Sequence, residues 1–428
     1  MSLRFLKLVA VNVLVFVVLA EAVGLYASYM DTGHFLYTTP RHYDAIKETA
    51  ARRLTADSVH PYFGPLHKPG FRPQSNNFGF TSPYAFPYEK RSADEFVIGI
   101  FGGSVGEQFC ELGVPRLLED LGADRALNGP STPLGAGRRF VPLCFSHEGY
   151  KQPQQLLVLA YFLSIGQRFD LVLNIDGLNE VALSALNNEK GRDISMPSPL
   201  HMDPLLAVID QSTMTPEMIE SLAKINQDKQ SMNRLAERIN ANRIAIVDFV
   251  LTRIYARTKR DYQSELGRFA NLPPNKAEAS IVELSRAVKS RDEATLYEDI
   301  AASWANASEE MNAMLAARSV PYLHVLQPNQ YFGTRRFGAG EARIAINTAS
   351  LFKAPVEKGY PVLLRQSARL RQSEHFVDAT AVFDRESGAV YKDDCCHYNE
   401  LGNRLLADAI AARVRELGPL GQRPQSSQ

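Results

Sequence analysis

The chain opens on a nearly unbroken apolar run. Leu8 to Ala20 contains one polar residue, Asn12, and weakly polar residues carry the stretch through Glu21 to about Tyr29. About 20 mostly apolar residues suffice to cross a bilayer as a helix, so residues 1–29 predict an N-terminal membrane anchor. Ala20-Glu21-Ala22 has the small-x-small form of a processing site, which keeps a cleaved signal segment as the rival reading. In either case Arg4 and Lys7 stay on the cytoplasmic side and the bulk of the protein is exported.

Residues 30–94 lose this pattern. Stretches such as HPYFGPLHKPGFRPQSNNFGF are rich in Tyr, Pro, Gly and Asn and hold no sustained helical period, so an irregular membrane-proximal arm is expected. From Glu95 short apolar runs end in Gly, Ser or Asn: EFVIGIFGGS, RRFVPLCFSHEG, RFDLVLNIDGLNE and VPYLHVLQPN. Runs of this length, bounded by chain-breaking residues, suit strands buried on both faces. Helical patterns lie between them, QQLLVLAYFLSIG stopping at Gly166 and LGNRLLADAIAARVRELG closing the chain before Pro419. The alternation predicts an α/β fold with a parallel sheet covered by helices.

One long segment breaks the rhythm. Thr215-Pro216-Glu217 is a helix start with its cap and N1 proline. Met218, Ile219, Leu222, Ile225, Leu235, Ile239, Phe249, Val250 and Ile254 then supply an apolar stripe, and a second helical stretch is expected from about Lys276 to Ala317. Residues 185–317 read as a helical insertion, either a cap over the sheet or an arm for a protein partner. Residues 419–428 read as a disordered tail.

Composition narrows the function classes. The 428 residues balance 47 Lys and Arg against 47 Asp and Glu, so no net field draws the molecule to nucleic acid. Cys110, Cys144, Cys395 and Cys396 permit bridges in an oxidising compartment. Four cysteines allow three connectivities, and a bridge from Cys110 or Cys144 to one of the vicinal pair is one reading. No Cys-x-x-Cys or His-Glu-x-x-His spacing is present, so no metal or other cofactor is expected.

The candidate chemistry sits at strand ends. Ser104 follows a buried strand and a Gly pair, at the sheet edge where open α/β folds bind ligands. A helix starting beside it would aim free N–H groups at a developing oxyanion, which makes Ser104 a candidate nucleophile. Among nine histidines, His397 stands three residues after Asp394, a spacing at which a carboxylate can reach the imidazole across a turn. Asn179 and Gly149 lie just past two further strands and offer a side-chain amide and an unshielded backbone N–H.

Ser104 in FGGS, Gly149, Asn179 in GLNE, and Asp394 with His397 in DCCH follow the four-block order of the SGNH, or GDSL-like, hydrolases. Over about residues 95–418, insertion excluded, the chain resembles an exported bacterial member of that superfamily. The resemblance implies a flavodoxin-like three-layer α/β/α sandwich, with Ser104 as nucleophile, His397 as general base and Asp394 as its orienting acid. Ser104 N–H, Gly149 N–H and the Asn179 amide would form the oxyanion hole. It departs from the pattern at Gly103, where Asp usually precedes the serine, and at Glu180, where Asp usually follows the asparagine. The expected activity is ester cleavage or O-acyl transfer, on an acyl ester such as that of an envelope or secreted polysaccharide, by a single-pass inner-membrane protein facing the periplasm. The alternative is a non-catalytic envelope protein that uses the same fold to bind glycan or scaffold a complex.

Overall fold

In a computed structural model the described residues are 3–32, 37, 57–70, 74–124, 128, 137–209, 214–273, 284–288, 291–372 and 375–417. They divide into two compact units, one of residues 1–56 and 206–282, the other of residues 57–205 and 283–428. The expected tail lies outside the described residues, as does most of the arm from 33 to 56.

The larger unit is α/β. Strands β1 (Asp57–His60) and β2 (Gly64–His67) form an antiparallel hairpin. The main sheet contains β3 (Glu95–Gly102), β4 (Arg139–Cys144), β5 (Leu171–Asp176), β6 (Tyr322–Leu326) and β7 (Phe376–Asp378) in the order β4-β3-β5-β6-β7. Every neighbouring pair in it is parallel. All residues of β3, β5 and β6 are buried, the consequence of covering both faces. Alternation along β3 divides its side chains between two cores. Phe96, Ile98 and Ile100 meet one side, while Val97 and Phe101 meet the other.

Helices α2 (Ser104–Leu112), α3 (Val114–Ala123), α5 (Leu178–Glu189), α9 (Glu293–Ala316), α11 (Lys353–Gln372) and α12 (Glu400–Glu416) all contribute to the first core. Helix α9 also reaches the second face, with Trp304 on His324 and with Met311 and Leu315 in the second core. On that face lies α4 (Gln154–Ser164), with Val158, Leu159 and Phe162 against Phe63, Phe80 and Phe86 of the arm and Phe145 after β4. The arm is therefore part of the core. Its tight turn is held by Asn76 Oδ1, which accepts from the N–H groups of Phe78, Gly79 and Phe80 at 2.9, 3.0 and 3.0 Å. Each aromatic so buried contributes roughly 1.5–3 kcal/mol relative to exposure.

The insertion is narrower than its expected span of 185–317. Residues 185–189 complete α5, and α9 begins only at Glu293, capped by Asp292 Oδ1 on Thr295 N at 2.9 Å. Most of residues 276–290 lie outside the described residues. Trp304 and Ile300 of α9 are in the main core, so this helix belongs to the α/β layer.

The smaller unit contains α1 (Leu3–Thr32), α7 (Pro216–Ala241) and α8 (Ala245–Asn271). Thr215 caps α7 as its sequence predicts, accepting from Met218 N at 3.3 Å. Ile225, Met232 and Ile239 of α7 and Tyr255, Tyr262 and Phe269 of α8 are buried together at seven-residue spacing, the seam of two helices packed along their lengths. In α1, Lys7–Met30 is long and apolar enough to cross a membrane. Two further short helices among the described residues are α6 (Pro199–Ile209) and α10 (Ala339–Ala345).

Candidate active site

β3 ends at Gly102 and α2 begins at Ser104 with no room for more than one turning residue. Gly103 fills it for a steric reason. A Cβ at this position would fall 2.2 Å from Asn179 Nδ2 and 3.1 Å from Tyr150 O. An aspartate there, as the resemblance implies, would require the Asn179 amide to move off its present position. The same distances show that the loop after β4 and the first turn of α5 converge beside the start of α2. Asn179 Nδ2 donates to Tyr150 O at 2.9 Å, which ties those two segments together. An amide nitrogen carries two hydrogens, and this bond uses one. Gly149, next to Tyr150, has φ +76, and a Cβ on it would strike His201 Nδ1 at 2.3 Å. Both backbone conformation and space demand glycine.

Ser104 Oγ lies 2.8 Å from His397 Nε2 across 293 residues of chain. The other ring nitrogen, Nδ1, meets Asp393 Oδ2 at 2.5 Å. This corrects the expectation for Asp394. Asp393 Oδ1 accepts from the N–H groups of Cys395, Cys396 and His397 at 3.0, 3.1 and 3.2 Å, so the chain wraps round this carboxylate and its second oxygen faces the ring. Asp394 points elsewhere, its Oδ2 accepting from Asn347 Nδ2 at 2.7 Å. Four positions back, not three, is the spacing this turn requires.

The electrostatics follow from burial and pairing. Burial opposes charge on His397, but the Asp393 carboxylate and the Cys396 sulfur outweigh it and hold the imidazole well above its ordinary value. Burial alone would raise Asp393, yet the His397 ring and the three N–H groups keep it well below the usual carboxylate range. Cys396, which burial would push up, is brought down to about 6 by its neighbours Cys395 and His397. Glu180 is raised to about 8, first by burial and then by Asp176. It caps α5 from within, accepting from Gly177 N at 2.8 Å and from Gln152 N at 3.1 Å.

The cysteines also depart from the bridge considered between the first two and the vicinal pair. Cys110 of α2 is bonded to Cys144 at the end of β4, and Cys395 and Cys396 are free thiols with sulfurs 3.1 Å apart. Parallel pairing of β3 with β4 brings Cys144 opposite Ile100, beside the helix that follows β3. A bridge of this kind stabilises by about 2–4 kcal/mol. It fixes the helix carrying Ser104 to the strand that leads to Gly149.

Two histidines whose sequence neighbours suggest nothing acquire acidic partners through the fold. His324 Nε2 meets Asp176 Oδ1 at 2.7 Å and its Nδ1 meets Ser308 Oγ at 2.7 Å, while Trp304 Nε1 donates to the same Asp176 oxygen at 2.8 Å. This Asp–His–Ser chain has the residue types of a triad, but Ser308 and His324 are 0% exposed, so no substrate reaches it. It anchors the end of β5, from which Asn179 follows. The His397 and Asp393 side chains, by contrast, are 18% and 22% exposed.

His67 of β2 bridges Asp57 Oδ1 at 2.7 Å and Glu107 Oε1 of α2 at 3.4 Å. Burial disfavours its charge, but the two carboxylates raise it to about 10. A raised histidine stabilises fully below its unfolded value of about 6.5, and that contribution is lost as pH rises through the folded value. Thermal melts of the wild type should therefore fall between pH 6.5 and about 10, and His67→Gln should flatten that fall. An equal slope in both proteins would refute the clamp. Donor atoms of Asp57, His67 and His147 lie within 4.8 Å of one another, as do those of Cys395, Cys396 and His397. Hydrogen bonds already account for both nitrogens of His67 and of His397.

No family model and no curated protein matches this chain.

Proposed function

We propose that the larger unit is an SGNH-type serine esterase or O-acyltransferase on a flavodoxin-like three-layer α/β/α sandwich. The supporting topology is the strand order β4-β3-β5-β6-β7, which is 2-1-3-4-5 when the strands are numbered within the sheet. The observation that carries the activity is the unbroken line from Asp393 through His397 to the partly exposed Ser104 hydroxyl.

In this reading Ser104 Oγ attacks an ester carbonyl as its proton passes to His397 Nε2. Asp393 holds the ring with Nδ1–H toward itself and stabilises the imidazolium. Negative charge on the carbonyl oxygen is met by the N–H of Ser104 at the start of α2, the N–H of Gly149 and the second Asn179 amide hydrogen. His397 then protonates the departing alcohol, leaving an acyl group on Ser104 that water or a sugar hydroxyl removes. An O-acyl ester of an envelope or secreted polysaccharide suits an exported enzyme tethered by α1 to the inner membrane and facing the periplasm. Retention of α1 is favoured by its contacts, because Glu21 accepts from Ala245 N at 2.7 Å and cleavage after Ala22 would remove that bond.

Labelling by a fluorophosphonate probe tests the proposal, because only an activated serine reacts. Labelling at Ser104 supports it. Absence of labelling in a folded protein would leave the fold as a binding scaffold. Asn179→Ala is expected to lower kcat by about 100-fold with KM little changed, as for loss of one oxyanion donor. A change confined to KM would remove Asn179 from that role.

A further inference from the structure

A glutamate within an apolar span needs a partner, and Glu21 has one. It accepts from Ala245 N at 2.7 Å and Ile246 N at 3.4 Å, the first N–H groups of α8, which no side chain of α8 itself caps. Gly24 completes the contact, since a Cβ there would lie 2.3 Å from Ile246 N. These residues fix where α8 begins along α1. From Lys7 to Gly24 is about 25 Å of helix at about 1.5 Å per residue, less than the roughly 30 Å hydrocarbon core. Tyr26 and Tyr29, both exposed, follow at the level where amphipathic rings favour the membrane boundary.

The beginning of α8 is therefore held at the outer edge of the membrane that α1 crosses, and its surface fits that place. Ile244, Val247, Val250 and Ile254 fall on one stripe and are 51%, 39%, 47% and 46% exposed. Arg257 and Arg260, exposed one to two turns further on, can meet lipid phosphates. Arg243 precedes the stripe and Arg253 flanks it, its guanidinium over the Phe249 ring. An apolar stripe bordered by arginines matches a helix that meets acyl chains and headgroups together at the membrane boundary.

We propose that the first turns of α8 are a second membrane contact, an interfacial segment seated in the acyl-chain and phosphate region of the outer leaflet beside α1. The inference rests on the reading of α1 as a retained anchor. It gives the helical insertion a role, holding the protein at the bilayer by two elements.

The full chain in proteoliposomes tests this through tryptophan quenching by phosphatidylcholines brominated, in separate preparations, near the methyl end of the chains, at the depth of Val15, and near the headgroup end, at the depth proposed for Val250. Trp304, the single native tryptophan, is fully buried and serves as the unquenched reference. The Val15→Trp variant reports the anchor, Val250→Trp the proposed contact, and Gln263→Trp a distal exposed position on α8. The expected result is loss of most of the added emission in the first two variants, each with the lipid brominated at its depth, and none in the third. Quenching of Val15→Trp with Val250→Trp no more affected than Gln263→Trp would overturn the contact and leave the anchor standing. No quenching of Val15→Trp would overturn both.

Discussion

Ser104→Ala is expected to lower turnover of an aryl acetate by about 10⁴-fold or more and to abolish fluorophosphonate labelling. The size follows from what is removed. Without the hydroxyl there is no acyl-enzyme, and only binding and oxyanion donors remain to assist water. The melt should stay within about 0.5 kcal/mol of wild type, because Ser104 is partly exposed and its hydroxyl bonds to His397. That pairing of outcomes separates chemistry from folding. A variant that turns over at the parental rate would remove the nucleophile, while one that loses activity together with its cooperative melt would report a structural role.

Much of the scaffold around this serine was legible because burial on two faces leaves a plain mark. The four apolar runs from Glu95, Arg139, Leu171 and Tyr322 are β3 to β6, and Thr215-Pro216 opens α7 where cap chemistry puts it. β7 went unseen because Phe376–Asp378 is too short to form a run. The start of α9 differs from the expectation because helical composition continues upstream of Asp292, where the cap sets the first turn.

Long-range electrostatics were not legible at all. His67 meets Glu107 across 40 residues and His324 meets Asp176 across 148, separations at which no local spacing points to a partner. Glu21 is the sharpest case. In sequence it only weakens an apolar run, and its use as a cap for α8, 224 residues later, depends on tertiary contact. The glycines behaved differently. Gly103 departs from the pattern of the hydrolases that the chain resembles, and the atoms a side chain would displace, Asn179 Nδ2 first, give a physical reason.

The adjacent acids in the His397 turn separate sequence spacing from geometry, and their substitution should do the same in solution. Asp393→Asn keeps an oxygen for the three N–H groups but turns an amide N–H toward Nδ1, forcing the ring into the wrong tautomer for accepting the serine proton. By analogy with other triads the loss in kcat is about 10⁴-fold. Asp394→Asn leaves an oxygen able to accept from Asn347, and the effect should stay near twofold, the scale of a change of about 0.5 kcal/mol. A pH profile adds a second readout. Burial lowers His397, but Asp393 and Cys396 raise it well above its ordinary value, and the base is active only when neutral. Wild-type kcat/KM should therefore climb with pH into the alkaline range. Removing the Asp393 charge should move that limb toward lower pH while the rate itself falls. If Asp394→Asn produced the larger loss, or if the limb stayed in place in Asp393→Asn, the acid facing the imidazole during catalysis would not be Asp393.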